Sequence, residues 1–286
     1  MEWKRAVEAV PRFEFVEQAT STNDELRLAV QATDASAWPH GSALVTDDQT
    51  AGRGRLGRTW LAPTGKTLAI SVVLRGDGPG GVALPVEAYG WLPLIAGVAM
   101  TEAVRTAVAA ASAAPGEGED DGTGLLEVTL KWPNDVLISG YKVCGILCEL
   151  LPGPTGERPG AVIVGAGLNL TLDEHDLPTL TSTSLLLATG RRPDADAVLA
   201  EYLRRLIALV DELAGAGGDA VASGIADRVA AVCGTLGEEV RVELPGDAEL
   251  VGTAERIDRD GRLVVRDREN GEPQAVAAGD VTHLRY

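Results

Sequence analysis

Lysine is scarce in this chain of 286 residues. Only Lys4, Lys66, Lys131 and Lys142 occur, and arginine supplies the other 21 of 25 cations. Against 42 Asp plus Glu, they leave a formal net charge of −17. That shortage of positive charge excludes a broad phosphate-binding surface, because nucleic acids and anionic membranes need a basic field. One small, locally basic anion site remains allowed. Cysteine is also rare: Cys144, Cys148 and Cys233 are too few for a disulfide framework. His40, His175 and His283 lie far apart, so no Cys/His cluster has zinc-site spacing. No apolar run reaches the roughly 18–20 residues that span a bilayer. The longest, Leu92 to Ala111, is interrupted by Thr101, Glu102, Arg105 and Thr106. Glu2, Lys4, Arg5 and Glu8 stand where a signal peptide would have its apolar core. These absences predict a cytoplasmic protein with no membrane or nucleic-acid partner and no structural metal.

Hydrophobic content of 45% and charged content of 23% are those of a soluble globular chain. Residues 1–12 read as a short, mobile arm. Strands are predicted at 13–17, 43–46, 67–74, 127–131, 142–151 and 161–170 from β-branched and apolar content. Thr22 with Glu25 forms a capping-box pattern that predicts a helix to about Gln31. Further helices are predicted from Leu92, apolar on most faces and so central and buried, over 195–214 from apolar spacing, and over 219–232. The acidic, Gly-rich stretch at 111–124 reads as a disordered surface insertion. Cys144 and Cys148, four apart on one strand, share a face and read as buried thiols. After Gly234, short strands alternate with turn signals, which predicts a small antiparallel barrel over 235–286. At about 50 residues it is marginal alone, so it should pack on the main domain, 13–234.

Three motifs carry chemistry. In Gln49 to Trp60, Gly52, Gly54 and Gly57 alternate with Arg53, Arg55 and Arg58. Glycines let backbone N–H groups approach an anion, and arginines add bidentate donors. A flexible loop or an Arg/Gly RNA-binding segment fits the same pattern. The second motif is Lys131-Trp132-Pro133-Asn134-Asp135, followed by Lys142 and Gly145-Ile146-Leu147. Half of the lysines in a lysine-poor chain fall within these twelve residues, which points to ligand charge rather than surface decoration. The third, Gly165-Ala166-Gly167-Leu168-Asn169, allows close approach to a strand, or marks a crowded sheet.

In order and spacing, these pieces, with Ser21-Thr22-Asn23, resemble biotin–protein ligases (biotin–[acetyl-CoA-carboxylase] ligases) from about residue 13 to 286. The resemblance implies an α+β fold: a mixed, largely antiparallel sheet with packed helices, like class II aminoacyl-tRNA synthetases. It also implies a C-terminal SH3-like barrel. Only a dozen residues precede the first strand, so the monofunctional type without a DNA-binding domain is expected. The implied chemistry is attack of the biotin carboxylate on ATP to give biotinyl-5′-AMP. Transfer follows to a lysine of the biotin carboxyl carrier domain of acetyl-CoA or acyl-CoA carboxylase.

The implied roles fall on particular residues. Lys142, Arg55 and Asp135 are the catalytic candidates. Ser21, Thr22, Asn23, Gln49, Gly52, Arg53, Gly54, Gly145, Gly165 and Gly167 join Arg55 and Lys142 around biotin. Arg53, Arg55, Arg58, Trp60, Lys131, Asn134 and Asn169 serve ATP, with Mg²⁺ on the phosphates and Asp135 as a possible metal ligand. A lipoate–protein ligase is the nearest alternative, and a silent biotin sensor another.

Overall fold

The computed structural model describes residues 2–61, 63–76, 80–81, 83–113, 126–153, 159–244, 248–277 and 279–284. In chain order these form α1 (Lys4–Ala9), β1 (Phe13–Phe15), α2 (Thr22–Ala32), β2 (Ala43–Thr46), β3 (Gly52–Arg53), β4 (Thr59–Trp60), β5 (Thr67–Arg75) and α3 (Leu92–Ala113). Then come β6 (Val128–Lys131), β7 (Asp135–Ile138), β8 (Tyr141–Pro152), β9 (Pro159–Asn169), α4 (Leu185–Thr189), α5 (Ala195–Gly215) and α6 (Ile225–Val232). The last elements are β10 (Glu239–Leu244), β11 (Ala248–Ile257), β12 (Leu263–Asp267), β13 (Pro273–Val276) and β14 (Asp280–His283). A seven-stranded sheet has the order β1-β2-β5-β9-β8-β7-β6. Only β1–β2 is parallel, so the sheet is mixed and largely antiparallel, as expected. A separate antiparallel sheet, β13-β12-β11-β10-β14, follows at the C-terminal end.

Side-chain alternation assigns the two faces of the main sheet. Leu68, Ile70 and Val72 of β5 and Val162, Val164 and Leu168 of β9 join the core under α3 and α5. Val73 and Ile163, of opposite parity, pack with Leu26 and Val30 of α2 on the other face. Helix α2 covers only part of that face. The rest is where the functional residues gather.

The segment Val86–Ala113 corrects one expectation. By length and composition it is apolar enough to cross a membrane. Its polar residues interrupt the run without making it too polar. It is the central buried helix expected from its apolar faces, with 61% of its most apolar stretch buried. Arg105 spans to the carbonyl of Val128 at 2.7 Å, and Glu102 pairs with Arg205 of α5.

Residues 2–12 of the expected arm are also not loose. Helix α1 packs on α5, and Asp196 accepts from the N–H groups of Arg5 and Ala6 at 3.0 and 2.9 Å. Those donors are orphans at any helix start, and here the acceptor lies about 190 residues away, beyond the reach of a local capping signal. Trp3 is buried against Phe13 and Phe15. Helix α2 is capped one residue early: Ser21 caps Asp24, and Glu25 reaches back to the N–H of Thr20. Strand β7, helix α4 and strand β14 were not anticipated, and the helix expected over 219–232 begins only at Ile225. Of the acidic stretch at 111–124, residues 111–113 finish α3 and the remainder lies outside the described residues.

The C-terminal sheet packs on the main domain as expected. The indole N–H groups of Trp91 and Trp132 donate to the carbonyls of Arg259 and Gly261 at 2.8 and 3.1 Å. Cys144 and Cys233 are buried, and half-buried Cys148 packs against the core. Burial pushes the Cys148 thiol up to about 12 and raises the other two.

Two measurements check this packing. Trp3→Ala should destabilise the protein by about 3 kcal/mol in urea unfolding, the usual cost of emptying a buried indole site. A midpoint like wild type would return residues 2–12 to a loose arm. With thiolates suppressed, a disulfide reagent at pH 8 should leave the native thiols unreacted and titrate all three only after unfolding.

Candidate active site

Two rows of residues cross the sheet on the face that α2 leaves partly open. One runs Ala69–Gly167–Gly145–Asp135–Lys131 across five strands. The next runs Ser71–Gly165–Leu147. Where the sheet passes the start of α2, small residues replace the bulky ones that pack beneath the helix. A cleft of about 330 Å³ opens there, within the size range of small-molecule sites.

Lys142 reaches this face through a bulge. Val136 pairs with Cys144 and Leu137 with Lys142, so Val143 is an extra residue in β8. A bulge shifts the alternation by one, and Val143 and Cys144 both turn into the core. Lys142 thereby shares the face of Gly145, where an added methyl would lie 3.1 Å from its Nζ. The segment 181–183 clamps it: its N–H donates to Thr181 at 2.7 Å, and its carbonyl accepts from Thr183 at 2.8 Å. Its ammonium lies 2.7 Å from Asp135 Oδ1, an ion contact without hydrogen-bond alignment, and 5.6 Å from the Trp60 ring centroid.

The Arg/Gly loop forms the cover. β3 and β4 pair as a two-residue ribbon, and Leu56 and Gly57 at φ 56° and 75° turn the chain between them. Arg55 points inward and donates to Asn134 Oδ1 at 2.9 Å and to the Gly279 carbonyl at 3.2 Å. Burial lowers its pKa, opposed by Asp135 and Asp280. Arg58 pairs with Asp280, and that hydrogen bond raises its pKa. Arg53 lies outward, bridging Asp24 and Glu149 at 2.9 and 3.0 Å. Lys131 is lowered by burial, with Asp135 the main opposing charge.

The glycines allow close packing, but chiefly by the site's own side chains. A methyl on Gly167 would stand 2.4 Å from the Trp60 indole, and one on Gly165 2.4 Å from Asn23 Oδ1. The Trp60 indole N–H is buried with no partner among the described residues, a donor free for a ligand acceptor.

Every expected site residue but one lines this cleft: Ser21, Thr22, Asn23, Gln49, Arg53, Gly54, Arg55, Arg58, Trp60, Lys131, Asn134, Asp135, Lys142, Gly145, Gly165, Gly167 and Asn169. Gly52 does not. It lies behind the cleft, where a methyl would meet Gln49 Nε2 at 2.4 Å. Two asparagines have structural partners: Asn134 Nδ2 donates to the Ile146 carbonyl at 2.8 Å and Asn169 Nδ2 to the Thr183 carbonyl at 2.9 Å. Among the described residues no group of three or more His, Cys, Asp or Glu is arranged for a metal. Asp135 faces Lys142 instead, so a resident metal does not fit here. Sequence reasoning missed Ser71, Glu149, the Thr179–Ser182 segment and Asp280. Only Glu149 carried a signal, as the single carboxylate in β8.

Comparison with known proteins agrees with this arrangement. Residues 15–169, more than half of the chain, match the biotin/lipoate A/B protein ligase family, and residues 235–284 match the biotin protein ligase C-terminal domain. The chain belongs to this family. Among its relatives, a biotin–[acetyl-CoA-carboxylase] ligase of Mycobacterium tuberculosis is 37% identical, covering 96% of this chain and 90% of that protein. One from Paracoccus denitrificans is 32% identical, covering 86% and 90%. The Aquifex aeolicus biotin protein ligase in complex with biotin and ATP superimposes with a TM-score of 0.70 at 25% identity, covering 96% of this chain and 100% of that one.

Gly167→Ala tests the glycine floor. The methyl must displace the indole, so tryptophan emission should shift and stability fall by about 1–3 kcal/mol on thermal unfolding, as overpacking usually costs. Unchanged emission and melting would remove the indole from that floor.

Proposed function

We propose that this protein activates biotin with ATP to biotinyl-5′-AMP and transfers the biotinyl group to one lysine of the carrier domain of acetyl-CoA carboxylase. The carrying observation is the convergence of Lys142, Arg55, Arg58 and Lys131 on one cleft in a protein of net charge −17. Joining a carboxylate to a triphosphate brings two anions together. Fixed cations in a partly desolvated cleft lower that barrier, and they are in place before the reaction starts. The relative solved with biotin and ATP supports the same pair of ligands.

Lys142 is assigned to the carboxylate and the bridging oxygen that forms from it. A compact ammonium with rotatable donors suits an oxygen whose charge moves during reaction. Asp135 holds that ammonium in place. Arg55 and Arg58 face the phosphates, and Arg53 moves from Glu149 to the adenylate. Ser21, Thr22, Asn23 and Gln49 take the ureido head. Magnesium then arrives on the phosphates of MgATP as part of the substrate. In this reading residues 13–234 are the catalytic domain, with the layout of class II aminoacyl-tRNA synthetases. Residues 235–286 form an SH3-like barrel that closes one end of the cleft.

The deciding reaction combines the protein, biotin, MgATP and an apo carrier domain. It should yield AMP and one biotinyl adduct by mass. Titration calorimetry should give heat with biotin and none with lipoate, and the reverse would make this a lipoate ligase. Lys142→Ala should slow biotin-dependent pyrophosphate exchange at least about 100-fold, the scale of losing one oxyanion donor. Exchange within a few-fold of wild type would take Lys142 out of the chemistry.

A further inference from the structure

Behind the cleft a chain of hydrogen bonds links Glu149 and Ser71, which the assigned chemistry does not use, to Asn23, Thr22 and Gln49. It begins at Glu149 on β8. Glu149 Oε2 lies 2.7 Å from Asn23 Nδ2, and the Leu147 carbonyl lies 3.3 Å from the same atom. Both neighbours only accept, so the atom between them is the amide NH₂ and the Asn23 orientation is fixed. Asn23 Oδ1 therefore faces Ser71, whose Oγ is 2.6 Å away. An amide oxygen cannot donate, so Ser71 is the donor in this contact.

Ser71 Oγ also lies 2.8 Å from Thr22 Oγ1. The Ser71 hydroxyl is the donor there too, its one proton shared between Asn23 Oδ1 and Thr22 Oγ1, so Thr22 accepts. Thr22 Oγ1 in turn donates its proton to Gln49 Oε1 at 3.3 Å. Gln49 Oε1 also accepts the backbone N–H of Thr22 at 3.0 Å. Ser71 is fully buried, and Thr22 and Asn23 nearly so, so water does not reset these orientations. At the cleft wall, Thr22 is left with lone pairs alone, and Gln49 with its NH₂.

We infer that Glu149 and Ser71 are specificity-determining positioning residues, which fix Thr22 as an acceptor and Gln49 as a donor. That pattern selects a neutral ligand edge with an N–H beside a carbonyl, and it discriminates against an ether, ester or N-alkyl group there. The inference rests on the proposed function in taking that edge as the ureido head of biotin. Neither residue touches the reacting carboxylate or phosphate, so each acts on biotin affinity and not on chemistry.

The test is calorimetric titration of biotin, with steady-state kinetics alongside, for wild type, Ser71→Ala, Glu149→Ala, Glu149→Gln and the double alanine variant. Ser71→Ala and Glu149→Ala should each weaken biotin binding about tenfold or more, as loss of one organised polar contact does. At saturating biotin, kcat should stay within about threefold of wild type and KM for ATP should not move, on the same scale of one lost contact. The double variant should be no weaker than the worse single, because both break one series. Glu149→Gln keeps an oxygen acceptor for Asn23 and should bind biotin nearly as wild type does. Additive losses in the double variant would overturn the relay. So would a Glu149→Gln variant as weak as Glu149→Ala, which would assign Glu149 to pairing with Arg53. If wild type itself binds no biotin, the functional assignment falls instead, so the two failures are distinguishable.

Discussion

One additional residue in β8, at Val143, decides which face of the sheet carries Lys142. Without it, strict alternation would put Lys142 on the core face with Cys144, under α3 and α5. An ammonium there would be desolvated with no partner, at a cost of several kcal/mol. With it, the ammonium lies over the glycine row beside Asp135, and two strictly apolar positions still fill the core. The bulge also turns the Lys142 backbone toward Thr181 and Thr183, so a loop strand holds what the sheet ladder releases. Charge placement, core packing and loop anchoring are thus consequences of a single insertion.

The Trp132-Pro133-Asn134 turn has a comparable reach. Its indole enters the boundary with the C-terminal sheet and donates to Gly261. Its asparagine accepts from Arg55 and donates to Ile146, tying the cover loop to β8. Together these contacts fix Arg55 relative to the glycine floor. Preorganised cations of this kind need no reorganisation when charge develops between them.

Much of this was legible in the residues themselves. The strands at 43–46 and 67–74, the helix at 195–214 and the short strands after Gly234 follow from apolar period and turn chemistry, which are local properties. The Arg/Gly loop, the clustered lysines and the GxGxN segment named the cleft because they are unusual in a lysine-poor, acidic chain. What stayed hidden depends on distant partners. Helix α1 owes its start to Asp196. Ser71 looks like any serine in an apolar strand until Thr22 and Asn23 are placed on it. Asp280 is one acid among 42 until it faces Arg58. The glycines at 165 and 167 read correctly as positions of close approach, but Asn23 and Trp60 are what approach them.

The contact between Arg58 and Asp280 joins residues 222 positions apart, and Arg55 to Gly279 spans 224. The wall formed by Asp280, Val281 and Thr282 follows the glycine floor and Lys142 by more than 100 residues in the chain, and so is made after them. A nascent chain can complete its glycine floor and position Lys142 while the cleft still lacks that wall. The cleft is therefore complete only once synthesis has passed β14.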